Sequence, residues 1–173
     1  LLQGTFVQGA SQLNIAGDVR IAAGTTFTKS SNGSKFSLDG DLTLENEAGV
    51  NLGNVQIGTS PDTTTLSGSL IADSLTIGAG DILITNGFDV IVGTGGITNS
   101  GTIVASGGVG GMTSISTSSG FVNHGTFTAG SSTLTLSGSF INKSTFTANT
   151  GSVIFNGVNQ TLSGSTTFHN FTK

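Results

Sequence analysis

A nineteen-residue internal repeat constrains this chain more than any other feature. FVNHGTFTAG at 121–130 returns as FINKSTFTAN at 140–149, which aligns Phe121 with Phe140, Asn123 with Asn142, Thr126 with Thr145, Phe127 with Phe146 and Ala129 with Ala148. The register continues through STLTLSG, where Leu134, Leu136 and Gly138 align with Val153, Phe155 and Gly157. Upstream, GITNSGTIVAS at 96–106 aligns at a spacing of 24, setting Asn99 on Asn123 and Ile103 on Phe127, with the extra residues taken up in SGGVGG. TLSGS occurs at 65, 135 and 161, GDVRI at 17 is echoed by GDLTL at 40, and GTF appears at residues 4–6. Degenerate units of this length, each holding two or three short strands, are the signature of a stacked repeat architecture.

Composition selects the secondary structure. Gly, Thr, Ser and Asn make up more than half of the 173 residues. Helix is disfavoured, because interior Gly costs about 1 kcal/mol relative to Ala and Thr, Ser and Asn bond to their own backbone. Disorder is disfavoured as well: 35% of residues are hydrophobic and 8% charged, with Val, Ile, Leu and Phe in short alternating bursts. The expected fold is all-β, a parallel β-helix (β-solenoid) of about eight coils without notable helices. It forms a single domain over residues 1–173, with less regular coils at 1–64 and regular repeats of 19–24 residues at 65–173. At one strand spacing per coil the rod is on the order of 40 Å long. A hairpin-built barrel or sandwich would favour longer strands and would not hold a residue-exact register.

Alternation names the core. Phe121, Phe127, Leu134, Leu136, Phe140, Phe146, Val153 and Phe155 are expected inside, together with Ile82, Ile84, Val90 and Val92, while the threonines of TFT at 126–128 and 145–147 point out. Asn99, Asn123 and Asn142 are expected at corners, where Asn tolerates a left-handed backbone and its amide can bond the next Asn in a ladder.

His124 invites a catalytic reading, but its repeat partner is Lys143, so the position reads as a solvated loop slot. Asp39, Asp41, Glu45 and Glu47 alternate within SLDGDLTLENE; on one face of an extended segment such oxygens could hold Ca²⁺. A solvated strand face is the plainer reading, and no metal or other cofactor is expected. Carbohydrate cleavage needs paired acids in a groove with stacking aromatics, whereas this chain has no Trp, no Tyr and one Arg. Neither a nucleophile elbow nor a phosphate loop is present, and neither histidine has an acidic residue nearby in sequence, so no catalytic residue is expected. Asn32, Asn142, Asn159 and Asn170 open N-x-[ST] triplets. A flat Thr-x-Thr ladder can order water, but the sequence stacks TFT on two successive coils only.

All nine acidic residues fall at or before Asp89, with Arg20, Lys29 and Lys35 among them; beyond that point only Lys143 and Lys173 are charged. Five scattered basic residues do not make a phosphate-neutralising patch, so nucleic acid is not an expected partner. No run approaches the roughly 20 apolar residues of a helical membrane span. There is no cysteine, hence no disulfide. The chain starts at Leu1, which suggests a processed product or an excerpt.

The succession DSLTIGAGDILITNGFDVIVGTGGITNSGTI, GTFTAGSSTLTLSG and GSVIFNGVNQTLSGSTTFHNF resembles the repetitive β-solenoid segments of large bacterial surface and secreted proteins, such as filamentous-haemagglutinin-like adhesins and autotransporter passengers. That resemblance implies an extracellular or cell-surface scaffold and transfers no site residues. The expected function is a non-enzymatic stalk, sheath or filament segment that associates head to tail with its own copies or meets neighbouring repeats of a longer chain. The alternative is an adhesin binding glycans or a partner surface through the side loops at 59–65 and 106–114.

Overall fold

The computed structural model describes residues 1–58, 61–106 and 113–173. Among them there is no helix, and every strand pairing is parallel. The chain winds through about eight turns. The first holds β1 (Thr5–Val7), β2 (Leu13–Ile15) and β3 (Val19–Ile21), and the second β4 (Thr26–Thr28), β5 (Lys35–Leu38) and β6 (Leu42–Asn46). The third holds β7 (Asn54–Ile57) and β8 (Thr63–Leu66). The fourth and fifth each combine a long strand with a short one: β9 (Leu70–Ile77) with β10 (Ile82–Ile84), then β11 (Val90–Asn99) with β12 (Thr102–Val104). The sixth comprises β13 (Ser114–Thr117), β14 (Phe121–Asn123) and β15 (Thr126–Thr128), and the seventh β16 (Thr133–Leu136), β17 (Phe140–Asn142) and β18 (Thr145–Thr147). The last turn holds β19 (Ser152–Phe155) and β20 (Leu162–Ser163), and β21 (Asn170–Thr172) begins another.

These strands stack into three faces. The first is the seven-stranded sheet β3, β6, β8, β10, β12, β15 and β18. The second contains residues 70–72 of β9, residues 90–92 of β11, then β13, β16, β19 and β21. The third contains β2, β5, β7, residues 74–77 of β9, residues 96–99 of β11, then β14, β17 and β20. β9 and β11 are long because each runs over a corner and serves two faces, with a register shift between Val92 and Gly96. β1 and β4 pair on their own.

The repeat alignment is the register of the fold. Phe121 pairs with Phe140, Asn99 with Asn123, Ile103 with Phe127 and Leu134 with Val153. Identical side chains therefore pile into columns. The Phe127 and Phe146 rings stack at 5.4 Å and 6°, and Phe121 meets Phe127 edge-on at 5.3 Å. Phe121, Phe127, Leu134, Leu136, Phe140, Val153 and Phe155 are buried as expected, while Phe146, near the end of its column, is half-buried. Val90 and Val92 are buried too.

The strand registers depart from two sequence expectations. In DILIT the inward residues are Asp81, Leu83 and Thr85, and Ile82 and Ile84 lie on the outer surface. A one-residue slip exchanges the faces of a strand, and this run carries apolar residues on both of them, so alternation alone names the wrong set. The GDVRI and GDLTL segments do not stack as their spacing suggests either. Val19 pairs with Leu44 rather than Leu42, a two-residue shift that keeps the leucines inside.

Inward amides satisfy the backbone at the bends. Asn99 Nδ2 donates to Asn123 Oδ1 at 2.8 Å and Asn123 Nδ2 to Asn142 Oδ1 at 2.9 Å, and each also donates to a carbonyl of the turn above, Thr126 and Thr145 respectively. All three are buried at the ends of strands. Their backbone is not left-handed, contrary to expectation; among the described residues the non-glycine residues with positive φ are Asn86, Asn149 and Asn159. The ladder asparagines are there because a buried carbonyl at a bend needs a donor, and a carboxamide supplies two. Gln160 serves another bend, donating to the Leu136 and Gly138 carbonyls at 2.8 Å. Turn-to-turn contact is so close at Gly125 that a Cβ there would stand 2.0 Å from the Gly101 carbonyl oxygen.

Candidate functional site

There is no pocket among the described residues.

His124 and Lys143 occupy the same outward corner slot on successive turns. Both side chains are exposed, and their N–H groups donate to the Asn99 and Asn123 carbonyls at 2.7 and 2.8 Å. The backbone is structural there, and the side chain is free to vary.

The four carboxylates of SLDGDLTLENE do not line one face. Asp39 and Asp41 sit in the corner between β5 and β6, which belong to different faces, so the segment is bent where an extended strand was expected. Asp41 Oδ1 accepts the Thr63 N–H at 2.8 Å. Glu45 and Glu47 pair with Arg20 at 2.9 and 2.7 Å. Among the described residues no three His, Asp or Glu side chains are grouped so as to hold a metal ion.

The corner aspartates have a different task. Asp18 accepts the Thr43 N–H at 2.7 Å, Asp89 that of Ser114 at 2.9 Å and Asp81 that of Asp62 at 3.1 Å, so each ties neighbouring turns together. The recurrent Gly-Asp at 17–18, 40–41 and 80–81 was the available signal for this role. Burial pushes the Asp81 carboxyl above the usual carboxylate range; the Asp62 N–H hydrogen bond works against this, and the charges of Asp62 and Asp39 add to it. The hydrogen bond from Arg20 and the Ala23 N–H hold Glu47 below it.

The outer surface of the first face carries two vertical columns. Thr63 and Thr65, Ile82 and Ile84, Thr102 and Val104, Thr126 and Thr128, and Thr145 and Thr147 lie in register over five turns. Every one is β-branched and uncharged. Between Asp89 and Lys143 the chain has no Asp, Glu, Lys or Arg. Of the candidate side loops, residues 59–60 and 107–112 lie outside the described residues. Among the N-x-[ST] asparagines, Asn142 is buried in the ladder, whereas Asn32, Asn159 and Asn170 are exposed.

The first and last turns carry exposed apolar residues. In the first turn β1 and β2 each pair with a single strand, Leu2 bridges Ile21 on the outer edge of β3, and Leu1 and Val7 are 70% and 62% exposed. At the other end, β18, β20 and β21 are edge strands, Phe168 stacks on Phe171 at 5.2 Å, and Val158 and Phe171 are 89% and 48% exposed. One polar cluster escaped the sequence reading. Lys29, Asn51 and Asp73, spaced 22 residues apart on three successive turns, meet at one corner.

No protein-family model, curated protein or solved structure matches this chain.

Proposed function

We propose that this chain is a non-enzymatic structural element of a bacterial cell surface or extracellular matrix, a length of stalk, sheath or filament that associates end to end. The observation that carries the reading is the continuous parallel stack, whose first and last strands can each take a further turn, from the same chain or from another copy. An edge strand is a template for another strand, and a contact between unlike ends that does not close on itself extends into a filament. The acidic first half and mildly basic second half favour head-to-tail order over head-to-head. A surface rich in Thr, Ser, Asn and Gly supports an extracellular setting.

Negative-stain microscopy and sedimentation of the 173-residue chain test this. Filaments or end-joined rods are expected, shortened by Phe171→Asp. A strictly monomeric profile at high concentration in moderate salt overturns it. The adhesin reading draws support from the uncharged hydroxyl-bearing columns of the first face. Saturable binding on a glycan array that survives the loss of assembly would favour it instead.

A further inference from the structure

Lys29 directly follows β4, Asn51 lies three residues before β7, and Asp73 sits where β9 bends from the second face to the third. The Lys29 ammonium donates to both Asp73 oxygens, to Oδ1 at 2.6 Å. Asn51 Nδ2 donates to the same Oδ1 at 2.9 Å. An amine and a carboxamide are thus gathered on one carboxylate oxygen. Asn51 Oδ1 in turn accepts the Gly53 N–H at 2.8 Å, which polarises the carboxamide carbonyl. Gly53 also lets the lysine stem lie flat, since a Cβ there would stand 3.2 Å from Lys29 Cβ. The Asp73 N–H donates to the Gly53 carbonyl at 2.7 Å, fixing the acid to the same backbone unit.

We propose that Lys29 and Asn51 join in a self-formed isopeptide cross-link, with Asp73 transferring the proton. Nucleophile and electrophile are both hydrogen-bonded to the proton carrier, and a donor for the developing oxyanion is already on the carboxamide oxygen. Asp73 takes a proton from the Lys29 ammonium, and the freed amine attacks Asn51 Cγ. The oxyanion that forms on Oδ1 is held by the Gly53 N–H. As the carbonyl re-forms, the Cγ–Nδ2 bond breaks; the departing nitrogen takes the second proton lost by Nζ to leave as ammonia, which then takes the proton held by Asp73 and becomes an ammonium ion. One ammonium-bearing side chain and one carboxamide become a secondary amide and an ammonium ion. No oxidant or cofactor is required.

The bond ties the second turn covalently to the third. A cross-link of this kind restricts the unfolded chain as a disulfide does, and this chain has no cysteine with which to make one. The inference does not depend on end-to-end assembly.

Intact-mass spectrometry of the purified chain under denaturing conditions tests it. The expected mass falls short of the sequence mass by one ammonia, and tandem spectra of a protease digest contain a branched peptide joining Lys29 to Asn51. Lys29→Arg, Asn51→Ala and Asp73→Ala each abolish the deficit, and the first keeps the charge and contact, so its folding can be matched to the parent. A full sequence mass in the folded parent chain overturns the proposal. So does a deficit of one water, which would place the bond at Asp73.

Discussion

The turns before Asp89 and the turns after it solve the same problem with different chemistry. In the early turns much of the tying of coil to coil is done from outside: corner aspartates accept backbone N–H groups from a neighbouring turn, Arg20 pairs with Glu45 and Glu47, and Lys29 reaches Asp73, beside one buried amide, Asn46, which donates to the Ser69 carbonyl at 3.2 Å. In the later turns the ties are internal, an asparagine ladder beside columns of phenylalanine. The comparison teaches that identical stacking geometry permits either device. External ties tolerate variable turn length because a side chain can reach, whereas a ladder of identical amides needs the residues directly above one another.

The internal device should dominate stability, and four measurements can break or sharpen that contrast. The largest effect is expected from Phe127→Ala, which empties a fully buried ring site and should cost about 3–5 kcal/mol in denaturant unfolding. Phe27→Ala, at a half-buried ring of the early turns, should cost roughly half as much; equal costs would remove the distinction. Next comes Asn123→Ala, which takes a donor from the Asn142 amide and the Thr145 carbonyl and an acceptor from Asn99, at about 2 kcal/mol. Asn54→Ala, whose outward amide donates to the Gly33 carbonyl at 2.9 Å, should cost under about 1 kcal/mol.

A smaller, local effect is expected from Asp18→Ala. The Thr43 amide should exchange its hydrogen faster, while the Thr126 amide, bonded to the Gly101 carbonyl at 2.8 Å, keeps its protection. The smallest concerns pH. Asp81 has a raised folded-state pKa, so its ionised form weakens the fold at neutral pH, and the penalty fades as pH falls through that value. Glu47 has a lowered one, so the stability it contributes is present at neutral pH and disappears only in stronger acid. Thermal midpoints should therefore rise slightly from neutral to mildly acidic pH before falling. Asp81→Asn should flatten the rise; if it leaves the rise intact, Asp81 is not its source.

Much of the fold was legible because the repeat between 96 and 157 holds its register to the residue: a fixed spacing in the chain becomes a fixed position in the stack. The columns Phe121 to Phe140, Phe127 to Phe146 and Asn99 to Asn142 follow from spacing alone. DILIT was misread because neighbouring apolar residues leave alternation without a phase, and only the packing of Leu83 into the stack sets it. The acidic run was misread because a bend at Asp39–Asp41 lies between strands that sequence alternation treats as one.

TLSGS shows most directly where the boundary lies. Its three copies mark three different places on the coil: the end of β8 and the turn after it on the first face, the end of β16 and the turn after it on the second, and β20 with its flanks on the third. The sequence by itself determined that the chain is a stack of short strands and which residues repeat, because alternation and period are local quantities summed along the backbone. Which face each strand joins, which corner a given peptide turns, and that Lys29, Asn51 and Asp73 converge were decided by the tertiary structure. Those outcomes depend on where the rest of the chain has already stacked, and residues one full turn apart acquire a common neighbourhood only when the coil closes.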